Sequence, residues 1–459
     1  MIGKQSIEIN ATDLVRGMST SAHTTDGGFS PDTDAVNLIA TPGVLNAPAQ
    51  ATDASTNLSG NIIAASGDAN VSGQDRYFLT DSGKFYYWNG TTLTLAQTDA
   101  VKTYTVGTSD MVQFQLATYA SSANDITLLT GSTLGTIDVT WWTTTKGKSA
   151  LQTAQRHPLL VWEKSLWIGD KSSLHKWDGT TATAAALALS SEQSIVSLGV
   201  EPGTGYMLIG ITEGQNYSNT ISQVSKILVW DGFSTKALRS IIVEDAINAF
   251  YPVGGVTYVT YGTKLGYWNG SGITYLRTFK NVTRDGAKLI YKHKITNIGQ
   301  TLYIADGSRI LAYGEVLAGS KVFYPAFQNS PSGTPVNIGT LTAIGGGKLG
   351  FGYSAAKFFT FDTESVATTN TTAFITNKFN FPRPVFIRGA YIDWVNAVTN
   401  NVTPGSMQVM DETQNYTSFS SLQNLSGASV YSFETKQLDK KVRSCHIRYL
   451  GDTVVAGVR

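Results

Sequence analysis

A single cysteine, Cys445, stands in 459 residues. That excludes an intrachain disulfide framework and any cysteine-based zinc cluster, and Cys445 reads as a small, partly buried side chain in a strand. Neither sign of charge is in excess: 34 Lys and Arg face 33 Asp and Glu, a formal net charge of +1. A near-neutral chain offers no global electrostatic case for nucleic acid and leaves only local patches to consider. No window approaches the ~18 consecutive apolar residues of a membrane helix, so no membrane-spanning segment is expected. The first residues, Met1-Ile-Gly-Lys-Gln-Ser-Ile-Glu-Ile-Asn10, lack an apolar core and do not read as a signal peptide. The Asn-X-Ser/Thr triplets, as at Asn89, Asn281, Asn370 and Asn415, therefore reflect composition rather than glycosylation.

Catalytic signatures are also missing. The histidines (His23, His157, His175, His293, His446) are scattered, with no pair at metal-ligand spacing. There is no phosphate-binding Gly-x-x-x-x-Gly-Lys-Ser/Thr loop and no Gly-x-Ser-x-Gly elbow between a strand and a helix. The glycines at 345–347 read as a hairpin turn. Propeller glycosidases carry Ser-x-Asp-x-Gly-x-x-Trp turns, and Asp81-Ser-Gly-Lys-Phe-Tyr-Tyr-Trp88 lacks that spacing. No enzyme centre, cofactor or metal is expected.

What is present is β-structure, repeated. The chain is 42% hydrophobic and 15% charged, with 45 Gly and 21 Tyr, a folded composition with many turns. Its length suits two or three domains. In Leu265-Gly-Tyr-Trp-Asn-Gly270, alternating β-formers run into an Asn-Gly turn. The same pattern recurs as Lys84-Phe-Tyr-Tyr-Trp-Asn-Gly90, Leu174-His-Lys-Trp-Asp-Gly179 and Ile227-Leu-Val-Trp-Asp-Gly232. Weaker copies are Leu134-Gly-Thr-Ile-Asp138, Ile310-Leu-Ala-Tyr-Gly-Glu315 and Phe358-Phe-Thr-Phe-Asp362. The anchors Trp88, Ile137, Trp177, Trp230, Trp268, Tyr313 and Phe361 recur about every 45 residues, the length of a four-stranded propeller blade. Each anchor strand has strand-and-turn patterns before it and a Thr-rich strand after it. The expected fold is all-β: a β-propeller of about seven blades over residues 51–365, followed by a small antiparallel β-sandwich-like domain over 366–459. The weakness of copies two, six and seven leaves six or eight blades open.

Residues 1–50 are turn-rich and poor in apolar side chains, which reads as an extended N-terminal arm. Blade four is expected to carry a long loop, Glu213-Gly-Gln-Asn-Tyr-Ser-Asn-Thr-Ile-Ser-Gln-Val224, where other blades use three or four residues. In the last domain, strands are expected at 385–394, 406–410, 429–435, 443–450 and 453–458. The repeated tryptophans read as anchors between blades, with a sugar-stacking platform as the functional alternative. Asp138, Asp178, Asp231 and Asp362 read as turn formers on one rim. The most basic stretch, 277–294, holds Arg277, Lys280, Arg284, Lys288, Lys292 and Lys294 against one Asp. It reads as a solvated loop between blades five and six, or as a contact for a partner subunit or for DNA phosphates.

Three features together resemble the β-propeller tail hub or nozzle proteins of short-tailed bacteriophages. They are the arm with Asp13-Leu-Val-Arg-Gly-Met18 and Thr41-Pro-Gly-Val-Leu45, the Leu-x-x-Trp-Asp/Asn-Gly repeats, and a trailing β-domain opened by Ile375-Thr-Asn-Lys-Phe-Asn-Phe-Pro382. The resemblance implies a non-enzymatic virion tail subunit made in the bacterial host cytoplasm. It further implies a homo-oligomeric ring of six copies, with portal, adaptor and other tail proteins as partners and DNA passing transiently through the ring's lumen. It carries over no catalytic residue. Two other readings of a propeller stay open: a glycan-binding, lectin-like or host-receptor-binding protein, and a hydrolase acting on host polysaccharide.

Overall fold

The structure is a computed structural model that describes residues 51–55, 58–66, 76–130, 136–213, 225–279, 290–317, 320–328, 337–353, 356–364, 371–375, 379–386, 406–411, 416–418 and 441–452. It is all-β. Its strands in chain order are β1 (Thr52–Asp53), β2 (Ile62–Ser66), β3 (Arg76–Thr80), β4 (Lys84–Trp88), β5 (Leu93–Thr98), β6 (Met111–Phe114), β7 (Ala117–Ser121), β8 (Ile126–Thr130), β9 (Thr136–Asp138), β10 (Leu159–Trp162), β11 (Ser165–Asp170), β12 (Ser173–Trp177), β13 (Ala182–Ala188), β14 (Gln193–Val200), β15 (Met207–Glu213), β16 (Ser225–Trp230) and β17 (Arg239–Val243). They continue with β18 (Ile247–Val253), β19 (Val256–Tyr261), β20 (Lys264–Trp268), β21 (Ile273–Thr278), β22 (Ile295–Ile298), β23 (Thr301–Asp306), β24 (Arg309–Leu317), β25 (Ser320–Gln328), β26 (Ile338–Gly345), β27 (Lys348–Tyr353), β28 (Lys357–Asp362), β29 (Thr371–Ile375), β30 (Phe379–Phe386), β31 (Ser406–Asp411), β32 (Tyr416–Ser418) and β33 (Lys441–Asp452). Among the described residues, helix is confined to a π-turn at Trp141–Thr145 and a 3₁₀ turn at Lys292–Lys294.

Seven sheets have four strands each, and these are the blades of a seven-bladed β-propeller. Six of them use consecutive strands, β2–β5 through β22–β25. The seventh has the order β1-β28-β27-β26, so a strand from before the first blade completes the last one. Thr52 pairs with Thr360 and Asp53 with Phe359, and Lys357 Nζ meets Asp53 Oδ2 at 2.7 Å. Such closure removes the two loose ends an open ring would leave.

The chain divides into two compact units: Thr52–Ser308 with Pro331–Thr360, and residues 1–51, 309–330 and 361–459. In the larger unit the inner strands β2, β6, β10, β14, β18, β22 and β26 neighbour one another in turn and close on themselves, with the 3₁₀ turn mediating between β18 and β22. Apolar side chains fill the gaps between blades. Trp88 packs with Phe358 of the seventh blade, ring centroids 5.5 Å apart. Trp177 meets Trp141 at 5.5 Å, and Trp230 meets Trp167 of blade three at 5.4 Å. Trp268 joins Val196, Leu208 and Ile227 of blade four. Each repeated Trp therefore buries itself against the preceding blade, at about 1.5–3 kcal/mol per large apolar side chain.

The turn after each Trp is also the same structure four times. Asn269 Oδ1 accepts from Ser271 N–H (3.0 Å) and Gly272 N–H (2.9 Å). Asn89, Asp178 and Asp231 accept from the corresponding amides. Gly270 sits at φ +90°, a left-handed backbone that favours glycine. Asp178 and Asp231 are thus turn formers, and their carboxyls lie below the ordinary range because backbone or side-chain donors in the turn bond them.

Blade two corrects one alignment. Its third strand is β8, so Ile137 lies on the outer strand β9 and not at the anchor position. The gap toward blade three is filled instead by Trp141 and Trp142 on the π-turn, both buried. Asp125 holds that turn by accepting from Trp142 N–H (3.1 Å) and Thr143 N–H (3.2 Å).

The smaller unit contains the β24–β25 hairpin and a five-stranded antiparallel sheet. The sheet has β33 at its centre, paired with β29, β30 and β31, while β32 extends from β31. One sheet is described where a sandwich was expected. The expected runs at 406–410 and 443–450 are strands, whereas 429–435 and 453–458 lie outside the described residues. The run expected at 385–394 begins earlier, as β30, whose pairing slips between Asn380 and Val385. Pro382 and Pro384 lie in that interval and cannot donate to a ladder. The arm 1–50 and the loop 214–224 also lie outside the described residues.

Candidate functional site

The axis of the ring is the one place where all seven blades converge. A small cavity there is lined by Ile63, Asp110, Arg156, Ser197, Asn248 and Gly339, one residue from each of six blades or its leading segment. The remaining wall is the segment leading into blade six, Tyr291, Lys292 and His293.

That segment is a strap. Thr260 of blade five donates its hydroxyl to Ile290 O at 2.9 Å. Arg156, ahead of blade three, lies over the Tyr291 ring with its guanidinium carbon 4.8 Å from the centroid, a cation–π contact. Gly107 faces the same ring: a Cβ built there would fall 2.1 Å from Tyr291 Cζ. Lys292 Nζ donates to Leu159 O of blade three at 3.0 Å. Ala65 of blade one donates its N–H to His293 Nδ1 at 3.4 Å.

Asp110, just ahead of blade two, is the centre of this cluster. Its Oδ1 takes Met111 N–H and His293 Nε2–H, each at 2.7 Å. Its Oδ2 takes Leu159 N–H at 2.8 Å, and Lys292 Nζ lies 3.2 Å from both oxygens. Burial by itself pushes the Asp110 carboxyl up. The Lys292 charge and the His293 hydrogen bond outweigh it and hold the group well below the usual carboxylate range. Ala65 N–H points at His293 Nδ1, and Asp110 Oδ1 and Met111 N–H lie against Nε2. Both ring nitrogens are therefore engaged inside the protein, and the arrangement ties blades one, two, three, five and six together.

A pair of histidines flanks Asp170 in blade three, with His157 Nδ1 and His175 Nε2 each 3.5 Å from a carboxylate oxygen. His157 Nε2 lies 3.3 Å from Ala123 O, and Ala185 N–H donates to His175 Nδ1 at 2.9 Å. Burial pushes His157 below the ordinary imidazole range, although Asp170 and nearby carbonyls act against it. Among the described residues no group of three or more His, Cys, Asp or Glu is placed to hold a metal ion.

The basic candidates of 277–294 are dispersed. Arg277 is buried on β21, Lys292 is paired with Asp110, and Lys294 is buried beside Tyr291, where loss of hydration pulls its ammonium down to about 8. Lys280, Arg284 and Lys288 lie outside the described residues. Sequence reasoning took Lys292 and Lys294 as surface charges and did not find Asp110 or His293. The spacing from Trp268 to Tyr313 is 45 residues, the same as the repeat average, so it did not set this segment apart.

No family profile matches the chain, and no curated protein matches it. Among solved structures it is similar to Raptor from Chaetomium thermophilum, at 10% identity and TM-score 0.47, over 69% of this chain and 29% of that one. It is also similar to the computationally designed Ika8 protein, at 12% identity and TM-score 0.41, over 68% of this chain and 99% of that one. The chain spans under a third of the length of the Raptor chain.

Proposed function

We propose that this chain is a non-enzymatic structural subunit of a bacteriophage tail, of the nozzle or hub kind that surrounds the DNA exit channel below the portal and adaptor. One observation carries the structural half of this reading: the charged and imidazole groups gathered at the axis bond one another. Asp110, Lys292 and His293 form a closed set of contacts, and Tyr291 and Arg156 stack over the remaining space. A propeller stoppered by its own strap is a rigid block, and its outer surface is left to meet partners. DNA then passes along a lumen formed between copies and not through the propeller's own axis, and a near-neutral chain suits a wall that must not hold it. The tail assignment itself rests on the sequence resemblance of arm, repeats and trailing β-domain.

Electron microscopy of the purified full chain and of purified particles tests this reading. Rings of several copies are expected, and finding monomers alone in both samples overturns it. The glycan-binding alternative took the repeated tryptophans as stacking platforms, yet Trp88, Trp177, Trp230 and Trp268 are buried.

A further inference from the structure

Asparagine is a chemically labile residue, and most so before glycine, which puts no Cβ between its own nitrogen and the preceding side chain. The chain holds Asn-Gly twice, at Asn89-Gly90 in blade one and Asn269-Gly270 in blade five. Both lie in the turn that follows a repeated Trp, both asparagines are exposed, and both glycines have a left-handed backbone, φ +95° and +90°. Among the described residues neither glycine N–H donates a hydrogen bond, so each nitrogen is open to reaction. The dipeptide alone gives the two sites the same susceptibility. Their surroundings in the fold do not.

At position 269 the reacting groups are tied down. Asn269 Oδ1 accepts from two turn amides and also from Ser271 Oγ at 3.1 Å. Asn269 Nδ2 donates to Thr274 Oγ1 at 2.9 Å, and Gly270 O accepts from Arg239 Nη1 at 2.6 Å. Arg239 is itself anchored, its Nη2 lying 3.0 Å from Glu201 Oε1. Position 89 has fewer ties. Asn89 Oδ1 accepts from Thr91 N–H at 2.9 Å and Thr92 N–H at 2.8 Å, and its Nδ2 lies 3.3 Å from Thr92 Oγ1. Among the described residues nothing bonds Gly90 O. The side-chain carbon can reach the glycine nitrogen only when Oδ1 swings off its donors, that is, when the turn opens. Every bond made only in the closed turn lowers the population that reacts.

We propose that Asn89 is a site of spontaneous deamidation, and that Arg239, Ser271 and Thr274 shield Asn269 from the same reaction. Water is the only co-reactant. Base removes the Gly90 N–H proton, the nitrogen attacks Asn89 Cγ, and the new N–Cγ bond displaces Nδ2, which leaves as ammonia. Water then opens the resulting cyclic imide at one or other carbonyl. One opening gives aspartate at position 89, and the other gives isoaspartate, whose main chain runs through Cβ and Cγ. The aspartate product fits the turn, because Asp178 and Asp231 fill the same position and accept from the same amides. The isoaspartate product lengthens the main chain and disturbs the 3.2 Å bond from Asn89 N–H to Thr92 O. The inference is independent of the tail reading.

Incubation of the folded full chain at mildly alkaline pH tests it, with peptide mapping by mass spectrometry and enzymatic methylation of isoaspartate as the two readouts. Deamidation at position 89 is expected to run several-fold ahead of position 269. In urea the two rates are expected to converge, which assigns the difference to the fold. Arg239→Gln is expected to raise the rate at position 269 and leave position 89 unchanged. Asn89→Asp is expected to keep the parent's melting temperature. Equal rates in the folded chain, a gap that persists in urea, or an unchanged rate at position 269 in Arg239→Gln overturns the proposal. The rates are read on single chains, so a failure here is distinguishable from a failure to form rings.

Discussion

Replacing Asp110 by alanine tests the axial strap most severely. The carboxylate is buried and accepts from two backbone amides, an imidazole and an ammonium. Its removal strands Leu159 N–H, at about 1–3 kcal/mol for an unsatisfied buried donor, and leaves Met111 N–H only its 3.3 Å contact with His293 Nε2. It also leaves Lys292 without its counter-ion, and breaking a buried pair by removing one partner costs about 3–5 kcal/mol. The Lys292 side chain keeps 31% exposure, so water recovers part of that cost. Together these place Asp110→Ala at about 4 kcal/mol, a large fraction of the ~5–15 kcal/mol that holds a typical domain. Asp110→Asn keeps one acceptor oxygen and is expected to cost about 2 kcal/mol. Lys292→Met combined with Asp110→Asn in a double-mutant cycle should show a coupling of about 1–2 kcal/mol. Urea unfolding followed by tryptophan fluorescence reads all four proteins. An Asp110→Ala protein within about 0.5 kcal/mol of the parent, or a cycle with no coupling, refutes the reasoning.

Other perturbations separate the remaining contacts. Trp268→Ala should cost about 3–5 kcal/mol, as for a large core truncation. Trp268→Phe should cost about 1–2 kcal/mol, because it loses the 2.8 Å indole hydrogen bond to Glu201. Both are read by urea denaturation. Gly107→Ala adds an ~1–3 kcal/mol overpacking cost against Tyr291 to its left-handed strain. Gly270→Ala, with nothing within 4 Å of the new Cβ, bears the backbone strain alone. Thermal melts should therefore rank Gly107→Ala as the less stable. Stability should also fall as pH drops below about 6.5, because the unfolded chain protonates His157 there while the folded chain resists it. His157→Asn should flatten the difference between unfolding free energies measured at pH 7.5 and 5.5. Asp110 stays ionised over that window and adds no slope.

The propeller was legible because one physical unit is written repeatedly: a β-alternating strand, a Trp that needs a neighbouring blade, and an Asn-Gly or Asp-Gly turn. Where the unit is intact, at Trp88, Trp177, Trp230 and Trp268, the reading matches strand and turn residue by residue. In blade two another element does the Trp's work. The similarity of Ser132-Thr-Leu-Gly-Thr-Ile-Asp138 to a true copy drew the anchor onto the outer strand, while Trp141 and Trp142 filled the gap from outside the repeat. The axial cluster was hidden for a different reason. Asp110, Lys292 and His293 meet only after the ring closes, across about 180 residues of sequence, and no local spacing encodes such a contact. Seen in sequence, Lys292 is one cation in a basic run, and only its fold partner shows that it faces inward.

The central claim, a rigid propeller that serves as an assembly subunit, is tested most directly by imaging the purified full chain by cryo-electron microscopy. The account predicts multi-copy rings whose subunits each show seven blades with density filling the propeller axis. Isolated single propellers, or an open axis running through each, contradict it.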